Sequence, residues 1–134
     1  MKIGRGVDVG GTFAKLVAVG SQGRPLYQAQ VPTEPGRGPR SFIRRLLGHI
    51  RSAELELGRK FEAVGLGVAG DVDPERGVLR YAPNLKDWNG FSFRDSLGSK
   101  LRRPLIVEND ANMAAWGGFA LELNRRPRSM VAIP

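Results

Sequence analysis

Residues 105–119 read LIVENDANMAAWGGF, and the change of pattern inside this stretch decides the fold. Leu105, Ile106 and Val107 are bulky apolar residues suited to a buried strand, whereas Ala111, Ala114, Ala115 and Phe119 recur with helical spacing. Glu108, Asn109 and Asp110 lie between them, at the carboxyl end of a strand and the start of a helix. In open α/β sheets ligands collect at such ends, where a helix N-terminus offers unpaired N–H groups. An N-cap role for Asn109 or Asp110 accounts for one polar residue. Carboxylate, amide and carboxylate in succession exceed what a cap requires, so the junction is a candidate site.

Working back from it, residues 3–9 (IGRGVDV) and 13–19 (FAKLVAV) are apolar segments joined across Gly10, Gly11 and Thr12, which is a hairpin signal. A turn at 20–23 leads to a third strand, 25–31, and the proline- and glycine-rich residues 32–40 form a loop. From Ser41 the period changes. Phe42, Ile43, Leu46, Leu47, Ile50, Ala53 and Leu57 define a buried helical stripe, which leaves Arg44, Arg45, Arg51, Glu54 and Glu56 for the outer side and Gly58 as the stop. His49, the one histidine, lies on this helix and reads as structural. Residues 62–73 form a glycine-rich strand in which Gly65, Gly67 and Gly70 remove side chains where backbone or ligand must approach. A turn at 73–77, a short strand at 78–81, an unpatterned stretch (APNLKDWNGFSF) and a short helix within 93–101 follow. The opening strand, a helix from Asp110 to about Leu123 and a last strand from SMVAIP complete an α/β layer with helices packed on a mixed sheet. A strand that stops at Pro134 leads to the expectation that the sequence is an excerpt or a truncated product.

A chain of 134 residues suffices for one domain with a real core. Its net charge of +8 comes mainly from 16 arginines against 5 lysines. The arginines are scattered, with no aromatic interleaving of the kind that stacks on single strands, so the charge reads as a solvated basic surface rather than a nucleic-acid site. The absence of cysteine excludes disulfides, thiolate metal sites and cysteine nucleophiles within the chain. The N-terminal residues lack a signal-peptide core and no apolar run is long enough to cross a bilayer, so a cytoplasmic location is expected.

Asp8-Val9-Gly10-Gly11-Thr12 sets a carboxylate at the end of the first strand, then two glycines and a hydroxyl in the turn. Polyphosphate needs this combination: glycines let backbone N–H groups reach phosphate oxygens, Thr12 adds a hydroxyl donor, and Asp8 can hold Mg²⁺ directly or through water. A plain hairpin turn uses Gly-Gly equally well. The stretch is neither a Walker A loop nor a dinucleotide fingerprint.

Four motifs, DVGGTFAK (8–15), GLGVAGDVD (65–73), YAPNLKDW (81–88) and VENDANMAAWG (107–117), occur in the order seen in the ROK family of sugar kinases and repressors, and the chain resembles that family over nearly its whole length. It looks most like a bacterial glucokinase of the family. The resemblance implies an actin-like ATPase (ribonuclease-H-like) lobe, with residues 1–134 as the N-terminal lobe of a two-lobe enzyme. It further implies ATP and Mg²⁺ as cofactors, a hexose phosphorylated at its 6-hydroxyl, most simply glucose to glucose 6-phosphate, and a homodimer. No nucleic-acid or membrane partner is implied. A second phosphate motif, a sugar segment with glutamate and histidine, and any structural zinc would belong to the other lobe.

By the same resemblance Asp110 matches the catalytic base and Asn109 a sugar-hydroxyl ligand beside it. Gly70 matches a position where backbone meets the sugar, and Asn84 lies in a loop bordering the same cleft. Asp8, Gly10, Gly11 and Thr12 match the first phosphate motif, with Asp8 as the metal residue, and Lys15 falls where a basic residue is frequent or else simply faces solvent. Glu108 is left as a supporting residue. Phe13 and Ala69 depart from the family pattern, which has a polar or basic residue and a proline there, and this leaves substrate preference open. The alternatives are a kinase for N-acetylmannosamine, fructose or allose, a sugar-responsive regulator without turnover, and an isolated nucleic-acid module. A first strand beginning near Ile3, with no helix-turn-helix before it, argues against the regulator.

Overall fold

The computed structural model describes residues 3–9, 11–20 and 25–109. Three strands open the chain, β1 (Ile3–Val9), β2 (Phe13–Gly20) and β3 (Pro25–Pro32), joined antiparallel as the hairpin signals require. After α1 (Pro39–Leu57) the chain returns as β4 (Ala63–Val68), parallel to β1, and later as β7 (Leu105–Asn109), parallel to β4. The five strands form one mixed sheet in the order β3-β2-β1-β4-β7.

Register explains the core. Val7 pairs with Leu16 and Leu66, Val9 with Ala14 and Val68, and Leu66 with Val107, so these side chains share one face, and all are fully buried. Phe42, Ile43, Leu46, Leu47, Ile50 and Ala53 of α1 join them in one apolar cluster. Each such Leu, Ile or Phe contributes about 1.5–3 kcal/mol of burial. Helix α1 begins two residues before its apolar period does, because Pro39 occupies the first helical turn, where its fixed φ is favourable and no N–H is needed. It ends at Gly58, whose φ of 68° lets its N–H reach the carbonyls of Glu54 and Leu55.

Three expectations are corrected. The glycine-rich stretch 62–73 is not one strand. The chain turns at Ala69-Gly70, where Gly70 N–H donates to the Val68 carbonyl at 2.8 Å, and β5 (Asp71–Asp73) leaves to pair with β6 (Val78–Tyr81) in a separate two-stranded sheet. Arg45 and Glu54 are not on the outer side of α1. The Arg45 guanidinium donates to the Pro32 carbonyl and, at 2.9 Å, to that of Thr33, and lies 5.8 Å from the Phe42 ring centroid. Glu54 accepts the Phe61 N–H at 2.7 Å and pairs with Arg103, both side chains being largely buried. Long charged side chains bury their stems and carry their heads to a distant partner, which helical spacing does not register. Finally, β7 does not stop at Val107: Glu108 pairs with Gly67 and Asn109 with Val68, so both belong to the strand, while the N-cap reading concerns a helix that lies outside the described residues.

The unpatterned stretch after β6 holds a 3₁₀ turn (Lys86–Trp88) and is well packed. Leu85, Trp88 and Phe93 are buried, Trp88 lies 5.5 Å from Phe42 between centroids, and its indole N–H donates to the Pro35 carbonyl at 3.1 Å. A π-helical turn (Arg94–Gly98) running into α2 (Ser99–Leu101) fills the place of the expected short helix. His49 is half-buried on α1. The expected helix from Asp110 and the strand over 129–134 lie outside the described residues. Among the described residues no helix is long and apolar enough to cross a membrane.

Trp88→Ala is expected to cost about 3–5 kcal/mol in urea unfolding, and Trp88→Phe only about 1 kcal/mol through the lost bond to Pro35. A second expectation concerns acid. The Arg76 N–H above all, with Arg80 and the Glu75 N–H, outweighs the opposing cost of burial and holds the Asp73 carboxyl below its ordinary value. A depressed carboxylate stabilises the fold above its unfolded pKa and loses that contribution as pH falls through the folded one. The destabilisation by Asp73→Asn should therefore be present at neutral pH and shrink below about pH 4, as read by denaturant midpoints across pH.

Candidate functional site at the carboxyl ends of the parallel strands

Strands β1, β4 and β7 end together: Val9 is in register with Val68, and Val68 with Asn109. Beyond that line the ladder gives way to turns whose polar groups find each other. Ala69 N–H donates to the Val9 carbonyl at 3.2 Å, and the Asn109 side-chain amide donates to the Gly70 carbonyl at 2.9 Å. Two of the sequence-predicted sugar residues, Gly70 and Asn109, are thus bonded to each other.

Gly70 is required by close approach. A Cβ there would lie 2.5 Å from the Tyr81 carbonyl oxygen and 2.8 Å from the Ala82 Cβ. The end of β6 therefore passes directly over it and delivers the loop that carries Asn84. Asn84 in turn meets the turn after β1: a Cβ on Gly11 would lie 2.9 Å from the Asn84 Cβ. The structure thus draws Gly11, Asn84, Gly70 and Asn109, from four segments, to one end of the sheet.

The remaining predicted residues are distributed as follows. Thr12 is exposed, and its carbonyl accepts the Thr33 N–H at 2.9 Å, which ties the turn to the end of β3. Asp8 lies on β1 in register with Lys15 of β2 and Gly67 of β4, and Gly67 is in register with Glu108 of β7. Glu108, Gly67, Asp8 and Lys15 therefore form one row across the face opposite α1, at about 4.8 Å per strand. Lys15, on β2 and half-buried, is in register with Asp8. Gly10 and Asp110 lie outside the described residues; Asp110 follows directly on the end of β7.

Sequence reasoning missed the support of this site. Asn89 accepts the Ala82 N–H at 3.2 Å through its side chain and so fixes the chain crossing over Gly70. The available signal was the Asn-Gly pair at 89–90, which marks a turn.

Mg²⁺ keeps several waters and takes one or two carboxylates together with phosphate oxygens. Asp8 lies on β1, next but one before the turn that holds Gly11 and the exposed Thr12. Among the described residues no group of three His, Cys, Asp or Glu side chains could hold a metal ion.

A mixed sheet of this order with helices packed on it is a lobe of the actin-like ATPase class. The chain belongs to the ROK family, whose model matches residues 5–134. It is 32% identical over 128 residues to the glucokinase of Streptomyces coelicolor, covering 96% of this chain but 39% of that protein. It is 34% identical over 110 residues to the N-acetyl-D-glucosamine kinase of Salmonella arizonae, covering 82% of this chain and 35% of that one. Among solved structures, the ROK family glucokinase of Streptomyces griseus, in complex with glucose and AMPPNP, superposes with a TM-score of 0.77 at 35% identity, covering 89% of this chain and 36% of that one. The chain thus spans well under half the length of these relatives.

The contact between Gly11 and Asn84 is directly testable. Gly11→Ala should destabilise the chain measurably, and adding Asn84→Gly, which removes the opposing Cβ, should recover most of the loss. Additive effects of the two substitutions in a denaturant double-mutant cycle would refute the contact.

Proposed function

We propose that residues 1–134 are the N-terminal lobe of a two-lobe, ATP-dependent hexose kinase that phosphorylates the sugar 6-hydroxyl, converting glucose to glucose 6-phosphate. The observation that carries this reading is the joining of the phosphate-type turn to the sugar-type residues: Gly11 against Asn84, and Asn109 bonded to Gly70. Family membership and the glucokinase relatives support it.

Phosphoryl transfer asks a protein mainly for positioning and for neutralisation of charge. In this reading the turn after β1 binds phosphate through backbone N–H groups and the Thr12 hydroxyl, and Asp8 holds the cation, with Lys15 beside it. When bound, Mg²⁺ neutralises charge on the transferred phosphoryl oxygens. Asn109, oriented by its bond to Gly70, takes a sugar hydroxyl, and the Gly70 backbone and Asn84 border the sugar. Asp110, the next residue along from Asn109, accepts the proton of the attacking 6-hydroxyl. The second lobe would close the adenosine side of the cleft and would hold any structural zinc, and the complete enzyme would be a cytoplasmic homodimer. The similarity to an N-acetyl-D-glucosamine kinase favours, as a second reading, the same chemistry on another sugar.

A general base contributes roughly 10²–10⁴ in rate. In the intact enzyme, Asp110→Asn should lower kcat in a coupled ADP-release assay by at least about 10², while sugar affinity stays within a few-fold. Near-normal turnover would remove Asp110 from the role of base. A sugar panel on the wild-type enzyme decides between glucose and an N-acetylated or other hexose.

A further inference from the structure

The opposite end of the same sheet carries concentrated positive charge. There the chain enters β4 after Lys60 and Glu62, enters β7 after Arg102 and Arg103, and passes the last turns of α1. Arg51, Lys60, Lys100, Arg102 and Arg103 line one cleft of about 580 Å³, with Glu54 and Glu62 as its carboxylates. Glu54 is already engaged by Arg103 and by the Phe61 N–H in a largely buried junction. Among the described residues, Arg51, Lys60, Lys100 and Arg102 take part in no salt bridge, so four cations share the cleft with Glu62.

Two physical features separate this from an ordinary solvated surface. Soluble surfaces intersperse both signs, and one sign gathered around a concave wall focuses its field and concentrates counter-ions. The second feature is backbone conformation. Arg102 is held at φ 55°, a left-handed conformation that costs a side-chain-bearing residue about 1–2 kcal/mol and that glycine adopts without strain. Its N–H donates to the Gly98 carbonyl at 3.2 Å, closing α2 where glycine would be the relaxed choice. A guanidinium-bearing residue thus stands at the rim of the basic cleft where glycine would be relaxed; among the described residues Glu34 is the other non-glycine at positive φ, and it lies outside this cleft.

We propose that this cleft binds a small phosphate-bearing molecule. Its volume is that of a small-ligand site, and guanidinium with ammonium groups is the set that recognises phosphate. The site is separate from the candidate kinase site by the length of β4, about 20 Å for six residues, and does not depend on the kinase reading.

Amide NMR titration of the intact protein at physiological salt with inorganic phosphate, with glucose 6-phosphate and with a short DNA duplex tests this. The expected result is saturable one-site binding of phosphate or the ester, with shifts centred on Lys60, Lys100 and Arg102. Tighter binding of the ester identifies a phosphorylated metabolite as the ligand, and equal binding identifies free phosphate. Arg102→Gly should weaken binding at least tenfold with an unchanged or raised thermal midpoint, since glycine relaxes the backbone, and Lys60→Ala should weaken it without loss of fold. The proposal is overturned by shifts confined to Gly11 and Thr12, by absence of saturation, by undiminished affinity in Arg102→Gly, or by preferred, steeply salt-dependent binding of the duplex.

Discussion

The site depends on one constraint: three parallel strands must end in register while the middle one turns away. Val9, Val68 and Asn109 form the last line of the sheet, and β4 leaves it at once through Ala69 and Gly70. A backbone carbonyl abandoned at such a turn costs about 1–3 kcal/mol if it is buried without a partner. The Asn109 amide satisfies the Gly70 carbonyl and so completes the ladder with a side chain. One N–H of the amide is thereby spent on structure, and this fixes the orientation in which the rest of the group is presented. The residue that ends the sheet is the residue proposed to meet the sugar.

Much of this was legible in the sequence because it rests on local pattern. The periods of β1, β2, β3 and α1 are uninterrupted, and Gly11 and Gly58 mark a turn and a helix stop. Legibility failed where a role is defined by a distant partner. Arg45 and Glu54 have the spacing of solvent-facing residues, yet their heads reach Thr33 and Arg103, 12 and 49 positions away. Trp88 sits in a stretch with no period at all, and its place against Phe42 and Pro35 follows only from tertiary packing. Gly70 was legible as a point of close approach; that the approaching group is the carboxyl end of β6 was not.

The same division applies to the candidate site. Local pattern marked Asn109, Gly70 and Gly11, and Asn84 came only from the family resemblance; the fold brings these four together. Lys15 shows the limit of the method, since its frequency in a motif said nothing of its register beside Asp8. Glu108, set aside as supporting, occupies the same row as Asp8 with Gly67 between them.

That row bears on the second face of the sheet. All six residues of β4 are buried, but they alternate in size: Val64, Leu66 and Val68 face α1, whereas Ala63, Gly65 and Gly67 face away. The register sets Gly4 against Ala63, Gly6 against Gly65 and Asp8 against Gly67, so the small residues of two strands lie side by side. Glycine inside a strand costs roughly 0.5–1 kcal/mol relative to alanine, and four in adjacent positions cost several times that. A sheet tolerates such a strip where another element must approach its backbone closely. On the face opposite α1 the two middle strands therefore present a strip of small residues, flanked in register by Val17 of β2 and Ile106 of β7, and the row of Asp8 and Gly67 closes the strip at the carboxyl ends of the strands.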